Sequence, residues 1–148
     1  MFPKQKKKVI RIKEKNWLIE ELPGLKQDEI DNLKNKGFIS TLTLVKQGKT
    51  LQEKLILAQK LQVHVQYVNK WVALADLARI ESVGIEYCGL LLHSGIASVV
   101  QLMTTPPHRL HKQILRLQVA TLQRRDLCPA VERVQQWVQD AKSINNYQ

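Results

Sequence analysis

Three bases at helical spacing are the first feature of this sequence with a chemical consequence. Arg109, Lys112 and Arg116 fall at i, i+3 and i+7, so a helix over 108–117 places them on one face. Leu110, Ile114 and Leu117 then face a core. Arg124 and Arg125 follow, and no acid occurs from residue 87 to residue 125. Bases without neighbouring carboxylates attract phosphates, or an acidic protein surface, through contacts that ignore base sequence and weaken with salt. A second basic zone lies at the start. Residues 1–15 carry seven bases (Lys4, Lys6, Lys7, Lys8, Arg11, Lys13 and Lys15) against Glu14 alone. Such an arm can bind nucleic acid. It can also rest on an anionic membrane with Phe2, Val9 and Ile10 as shallow anchors, or simply solubilise the chain. Between the two zones, residues 16–86 balance nine bases with nine acids, and the net charge of the whole chain is +10.

Other reactive side chains do not assemble into sites. His108 and His111 share a helical face, yet neither Cys-x-x-Cys nor His-Glu-x-x-His accompanies them, so no metal or other cofactor is expected. Cys88 and Cys128 are the only thiols. Cys128 precedes Pro129 at a helix start, where a thiolate is favoured, but no base is evident beside it. Two unpaired cysteines fit a reducing, cytoplasmic compartment. Gly-x-Ser-x-Gly, the phosphate loop Gly-x-x-x-x-Gly-Lys-Ser/Thr and the dinucleotide fingerprint are all missing, which points away from an enzyme.

The elements that must position these residues are helical. The chain is 44% hydrophobic with 5% aromatics, so its core is aliphatic. Six Gly and five Pro leave little material for the turns of a β-sandwich. No apolar run reaches the length of a membrane span, and the basic start lacks the apolar segment of a secretory signal. At 148 residues, one compact domain or two small units sharing a core are expected. The sequence also matches itself. At an offset of 58 residues, Leu33, Gly37, Phe38, Ser40, Leu42 and Leu44 fall on Leu91, Gly95, Ile96, Ser98, Val100 and Leu102. At an offset of 66, Val68, Trp71, Val72 and Ala75 fall on Val134, Trp137, Val138 and Ala141. Each half therefore ends in a helix with a Val-x-x-Trp-Val-x-x-Ala stripe, whose spacing makes the tryptophans core pillars. Trp17 is expected to be partly exposed.

Breakers and caps place the helices. Asn16 caps a short turn over 17–20 that Pro23-Gly24 stops. Helices are expected over 27–36, closed by Gly37, and from Ser40 or Thr41 to residue 46. Thr50 caps the next over 51–61, and 65–78 follows. In the second half, 85–94 is closed by Gly95, Ser98 begins another, and Pro107 sits in the first turn of 108–117. A separate segment covers 119–125. Pro129 opens the last helix, and 143–148 should fray. Val9 to Lys13 alternate like a strand but have no partner.

At two equivalent places these residues resemble a helix-hairpin-helix element. They are Leu22-Pro23-Gly24-Leu25-Lys26 with Ile30, Leu33 and Gly37, and Ile80-Glu81-Ser82-Val83-Gly84 with Cys88, Leu91 and Gly95. The span 17–142 is similar to a tandem family known as domain of unknown function 4332, of cyanobacterial type. Asn69-Lys70-Trp71-Val72, Asp76-Leu77-Ala78-Arg79-Ile80 and the stretch 87–95 carry the likeness. The resemblance implies an all-α fold of two helix-hairpin-helix-like repeats around one compact core. The repeats would cover 16–80 and 81–142, between an arm at 1–15 and a tail at 143–148. In helix-hairpin-helix proteins the amides of a Gly-apolar-Gly turn approach a phosphate. Here Lys26 replaces the second glycine of the first turn and Ser82 the first glycine of the second. Asp28, Glu29 and Glu86 place negative charge where phosphate would sit. The turns Gly24, Lys26, Ser82 and Gly84 are thus poor phosphate grips. Basic surfaces are the better ones, with Lys6, Lys7, Lys8, Arg11, Arg109, Lys112, Arg116, Arg124 and Arg125 as binding residues. The expected function is a non-enzymatic adaptor on the backbone of DNA or RNA. The alternative is an assembly module docking on a larger acidic or membrane-associated complex.

Overall fold

A computed structural model describes residues 13–122 and 128–145. The basic residues Lys6, Lys7, Lys8 and Arg11, most of the strand-like 9–13, and Arg124 and Arg125 lie outside the described residues. The fold is all-α. After a 3-10 turn at Ile19–Glu21 come α1 (Gln27–Asn35), α2 (Thr41–Gln47), α3 (Leu51–Leu61) and α4 (Val65–Ala78). Then follow α5 (Gly84–His93), α6 (Val99–Thr104), α7 (Pro107–Leu122) and α8 (Val131–Asn145). Among the described residues the only extended pairing is an isolated antiparallel bridge between Leu18 and Ser40.

Local chemistry sets most helix ends. Gly37 (φ +91°) and Gly95 (φ +95°) take left-handed conformations that a side chain would strain. Behind them, Phe38 N–H donates to the Leu33 carbonyl and Ile96 N–H to the Leu91 carbonyl, each at 2.9 Å. These bonds satisfy carbonyls that the ended helix would leave orphaned. Thr50 Oγ1 accepts from Glu53 N–H at 3.1 Å, and Ser98 Oγ from Gln101 N–H at 3.0 Å. Two boundaries differ from the sequence expectation. Residues 108–117 and 119–125 do not form separate segments up to 122. With no Gly or Pro between them, and with Leu110, Ile114 and Gln118 buried at i, i+4 and i+8, α7 runs unbroken. Likewise α8 continues to Asn145, because Ile144 extends the stripe of Val134, Trp137, Val138 and Ala141 and is 2% exposed.

One continuous core holds the helices together. α4 packs against α2, α3 and α5, and α8 packs against α6 and α7. Trp71 and Trp137 lie at the centre of these contacts, 1% and 0% exposed. Trp137 Nε1–H also donates to the Ser82 carbonyl at 3.0 Å, which gives its one polar group a partner inside the core.

Residues 14–19 run across the molecule as a strap. Lys15 N–H donates to the Arg79 carbonyl at 2.8 Å, and Trp17 Nε1–H to the Ala78 carbonyl at 2.7 Å. Trp17 N–H donates to Thr41 Oγ1, while Thr41 N–H returns a bond to the Trp17 carbonyl. Asn16, expected to cap its own turn, instead accepts Leu42 N–H at 3.1 Å and so serves the first turn of α2. The 3-10 turn is closed by Glu21, whose carboxylate accepts Leu18 N–H at 3.0 Å.

Candidate functional site

The exposed face of α7 gathers the bases that the sequence singled out. Arg109, Lys112 and Arg116 are all exposed, while Leu110 and Ile114 are fully buried on the opposite side. Among the described residues none of the three bases has an ion-pair partner. Two shallow hollows border this face where α7 meets the end of α5 and the turn around Gly95. One, of about 260 Å³, is lined by Ser94, Gln101, Thr104, Thr105, Arg109 and Gln113 among others. The second, of about 280 Å³, is lined by His93, Ser94, Gln113, Arg116, Leu117 and Ala120. Ser94 and Gln113 belong to both, so a polar furrow runs beside the helix with an arginine at each hollow. Guanidinium groups flanked by neutral amides and hydroxyls can hold successive phosphates or carboxylates.

The two turns that the sequence likens to hairpins, at 22–26 and 80–84, are placed very differently. The first is open: Gly24 (φ +84°) and Lys26 are exposed, and Lys26 N–H is already taken by Glu29 Oε1 at 2.8 Å. The second is inside. Gly84 (φ +54°) is buried, and a Cβ there would stand 3.1 Å from the Trp17 ring. Ser82 Oγ–H donates to Asp140 Oδ2 at 2.6 Å, and its carbonyl receives the Trp137 indole. This turn is engaged by the protein itself.

Neither thiol has the environment of a nucleophile. Burial pushes Cys88 from 9.0 up to about 11, and it is fully enclosed. Burial also raises Cys128, contrary to the thiolate expected at a helix start. That residue has a base beside it after all, since its sulfur lies 3.8 Å from His111 Nε2.

A site that sequence reasoning missed lies on another face. A cleft of about 400 Å³ opens between α2, α4 and the turn into α6. Val45, Val72, Ala73 and Val100 give it apolar walls, with Lys49, Lys54 and Asn69 around them. At its inner edge Arg79 is 3% exposed and pairs with Asp76 (2.8 Å) and Glu14 (2.9 Å). Asp76 uses its other oxygen to accept Val99 N–H at 2.8 Å, which pins the start of α6. No spacing rule links Lys49, Lys54, Asn69 and Val100, because each comes from a different element or turn.

Architecture and charge together define an all-α protein with a basic helical face. The chain belongs to the family described as domain of unknown function (DUF4332), whose model matches residues 23–144. No curated protein and no solved structure shows a match to the chain. Among the described residues no helix is long and apolar enough to cross a membrane.

Proposed function

We propose that this protein is a non-catalytic adaptor of the cytoplasm that binds the backbone of DNA or RNA without sequence preference. The exposed face of α7 carries the reading: Arg109, Lys112 and Arg116 are without ion-pair partners among the described residues, and Arg109 and Arg116 flank a polar furrow. Arg124 and Arg125 follow α7 in sequence, and Lys6, Lys7, Lys8 and Arg11 of the arm would add further phosphate contacts. The Arg79–Asp76–Glu14 cluster is committed to the fold, and burial raises both thiols, which fits a binding role better than catalysis.

The same reading treats the two halves as copies of one helix-hairpin-helix-like unit. Supporting it, Gly37 and Gly95 end their helices with the same bonds, and α2 and α3 pack on α4 as α6 and α7 pack on α8. In that arrangement the phosphate-binding duty has passed from the hairpins to α7.

Fluorescence anisotropy with labelled single- and double-stranded oligonucleotides across salt tests the proposal. The three phosphate contacts of α7 alone predict a slope of about −2 to −3 in log K against log salt on a duplex, and contacts from the other bases steepen it. Replacing Arg109, Lys112 and Arg116 together by Glu should abolish most binding with helical content unchanged. Binding that ignores salt, or survives the triple change, would refute it.

A further inference from the structure

We infer that the cleft between α2, α4 and α6 is a docking site for a protein partner, receiving an apolar side chain carried on an acidic peptide segment. It is a separate surface from the α7 face, and the inference does not depend on nucleic-acid binding.

The floor of the cleft is apolar by construction. Gly48 closes α2 so tightly against α4 that a Cβ would lie 2.7 Å from Val72 Cγ2 and 3.2 Å from the Leu44 carbonyl oxygen. This approach leaves Val45, Val72 and Ala73 lining a hollow, and Val100 stands beside it with 53% of its surface exposed. An exposed valine at the mouth of an apolar hollow is surface that a partner would gain by covering.

The rim selects charge. Asp76 is neutralised from within, one oxygen bound by Arg79 Nε and the other by Val99 N–H. Lys49 and Lys54 line the same cleft, and among the described residues neither has an ion-pair partner. A positive rim around an apolar floor complements a hydrophobic side chain flanked by Asp or Glu.

Other occupants fit less well. A small metabolite needs several fixed polar groups to orient it, whereas Asp76 and Arg79 are bound to each other and Ser98 caps α6, which leaves Lys49, Lys54 and Asn69. A nucleic-acid strand would bring phosphates to the lysines but leave the aliphatic floor uncovered, and no aromatic ring lines the cleft for a base to stack on.

The test titrates the 15N-labelled full chain with a short peptide carrying one leucine between glutamates. Amide shifts should saturate at Gly48, Asn69, Val72 and Val100. Changing the peptide leucine to serine, or its glutamates to glutamines, should weaken binding about tenfold or more. The protein change Lys49→Glu with Lys54→Glu should do the same. Val100→Glu is the second variant, placed on an exposed side chain, and it should also abolish the shifts. No shifts at the cleft, or shifts indifferent to leucine and to charge, would overturn the inference. So would equal shifts with octanoate alone, which would make the site a small-anion pocket, or with an oligonucleotide, which would make it a nucleic-acid surface.

Discussion

The turns at 22–26 and 80–84 occupy corresponding places in the sequence, yet the glycine of the first is exposed and that of the second is buried. In the first, Glu29 takes the Lys26 amide and Lys70 approaches Gly24 from α4, its ammonium 3.6 Å from where a Cβ would be. In the second, Trp17 covers Gly84, Trp137 donates to Ser82, and Asp140 accepts the Ser82 hydroxyl. The difference comes from what arrives over each turn. The strap at 14–19 and the last helix both converge on 80–84, which lies where α4 passes into α5. The backbone differs as well: the left-handed residue is the first glycine position in one turn (Gly24) and the last in the other (Gly84), so matching places in the sequence become a joint of the fold in one half and a surface turn in the other.

The largest expected effect follows from the buried joint. Trp137→Ala removes a fully enclosed ring and leaves the Ser82 carbonyl without its donor, so it should cost about 3–5 kcal/mol in denaturant unfolding. A loss below 1 kcal/mol would mean that the second turn is not held from within.

Next in size is a pH effect confined to the second half. Cys88 stands in α5 where Ile30 stands in α1, and burial raises its thiol from 9.0 to about 11. A raised value means that the folded chain keeps this proton when the unfolded chain loses it. The contribution is therefore complete below pH 9 and declines as pH climbs toward 11, by about 2–3 kcal/mol at the upper end. Across this range the gap between the unfolding free energies of the native chain and of Cys88→Ala should change by that amount. Parallel curves would contradict the assignment.

The smallest effect sharpens the comparison itself. Gly84→Ala and Gly24→Ala both place a side chain at positive φ, which costs about 1–2 kcal/mol each. Only the first meets Trp17. The Trp17 indole N–H resonance, bonded to Ala78, should move in Gly84→Ala and stay in Gly24→Ala. Equal movement in both would show that the strap does not rest on the second turn.

Features carried by a few adjacent residues were legible in the sequence. Thr50 and Ser98 bond an amide three residues on, Gly37 and Gly95 end α1 and α5, and the tryptophan stripes repeat at the period of a helix. The bases of α7 were readable for the same reason, since residues three and seven apart share a face whatever the rest of the chain does. Contacts across the chain left no such trace. Asn16 caps α2 rather than its own turn, 26 residues away. His111 lies beside Cys128, and Lys49, Lys54, Asn69 and Val100 surround one cleft.

By itself, then, the sequence determined that this chain is helical, where most helices begin and end, which stripes are buried, and which face of α7 is basic. Those properties follow from backbone hydrogen bonding and side-chain period within a few turns. Only the tertiary structure decided that Gly84 of the second turn is enclosed, that residues 14–19 tie α2 to the end of α4, and that an apolar cleft lined by Lys49 and Lys54 exists. Each of these depends on which distant segments meet, and that is set by how the buried faces pack together rather than by any local spacing.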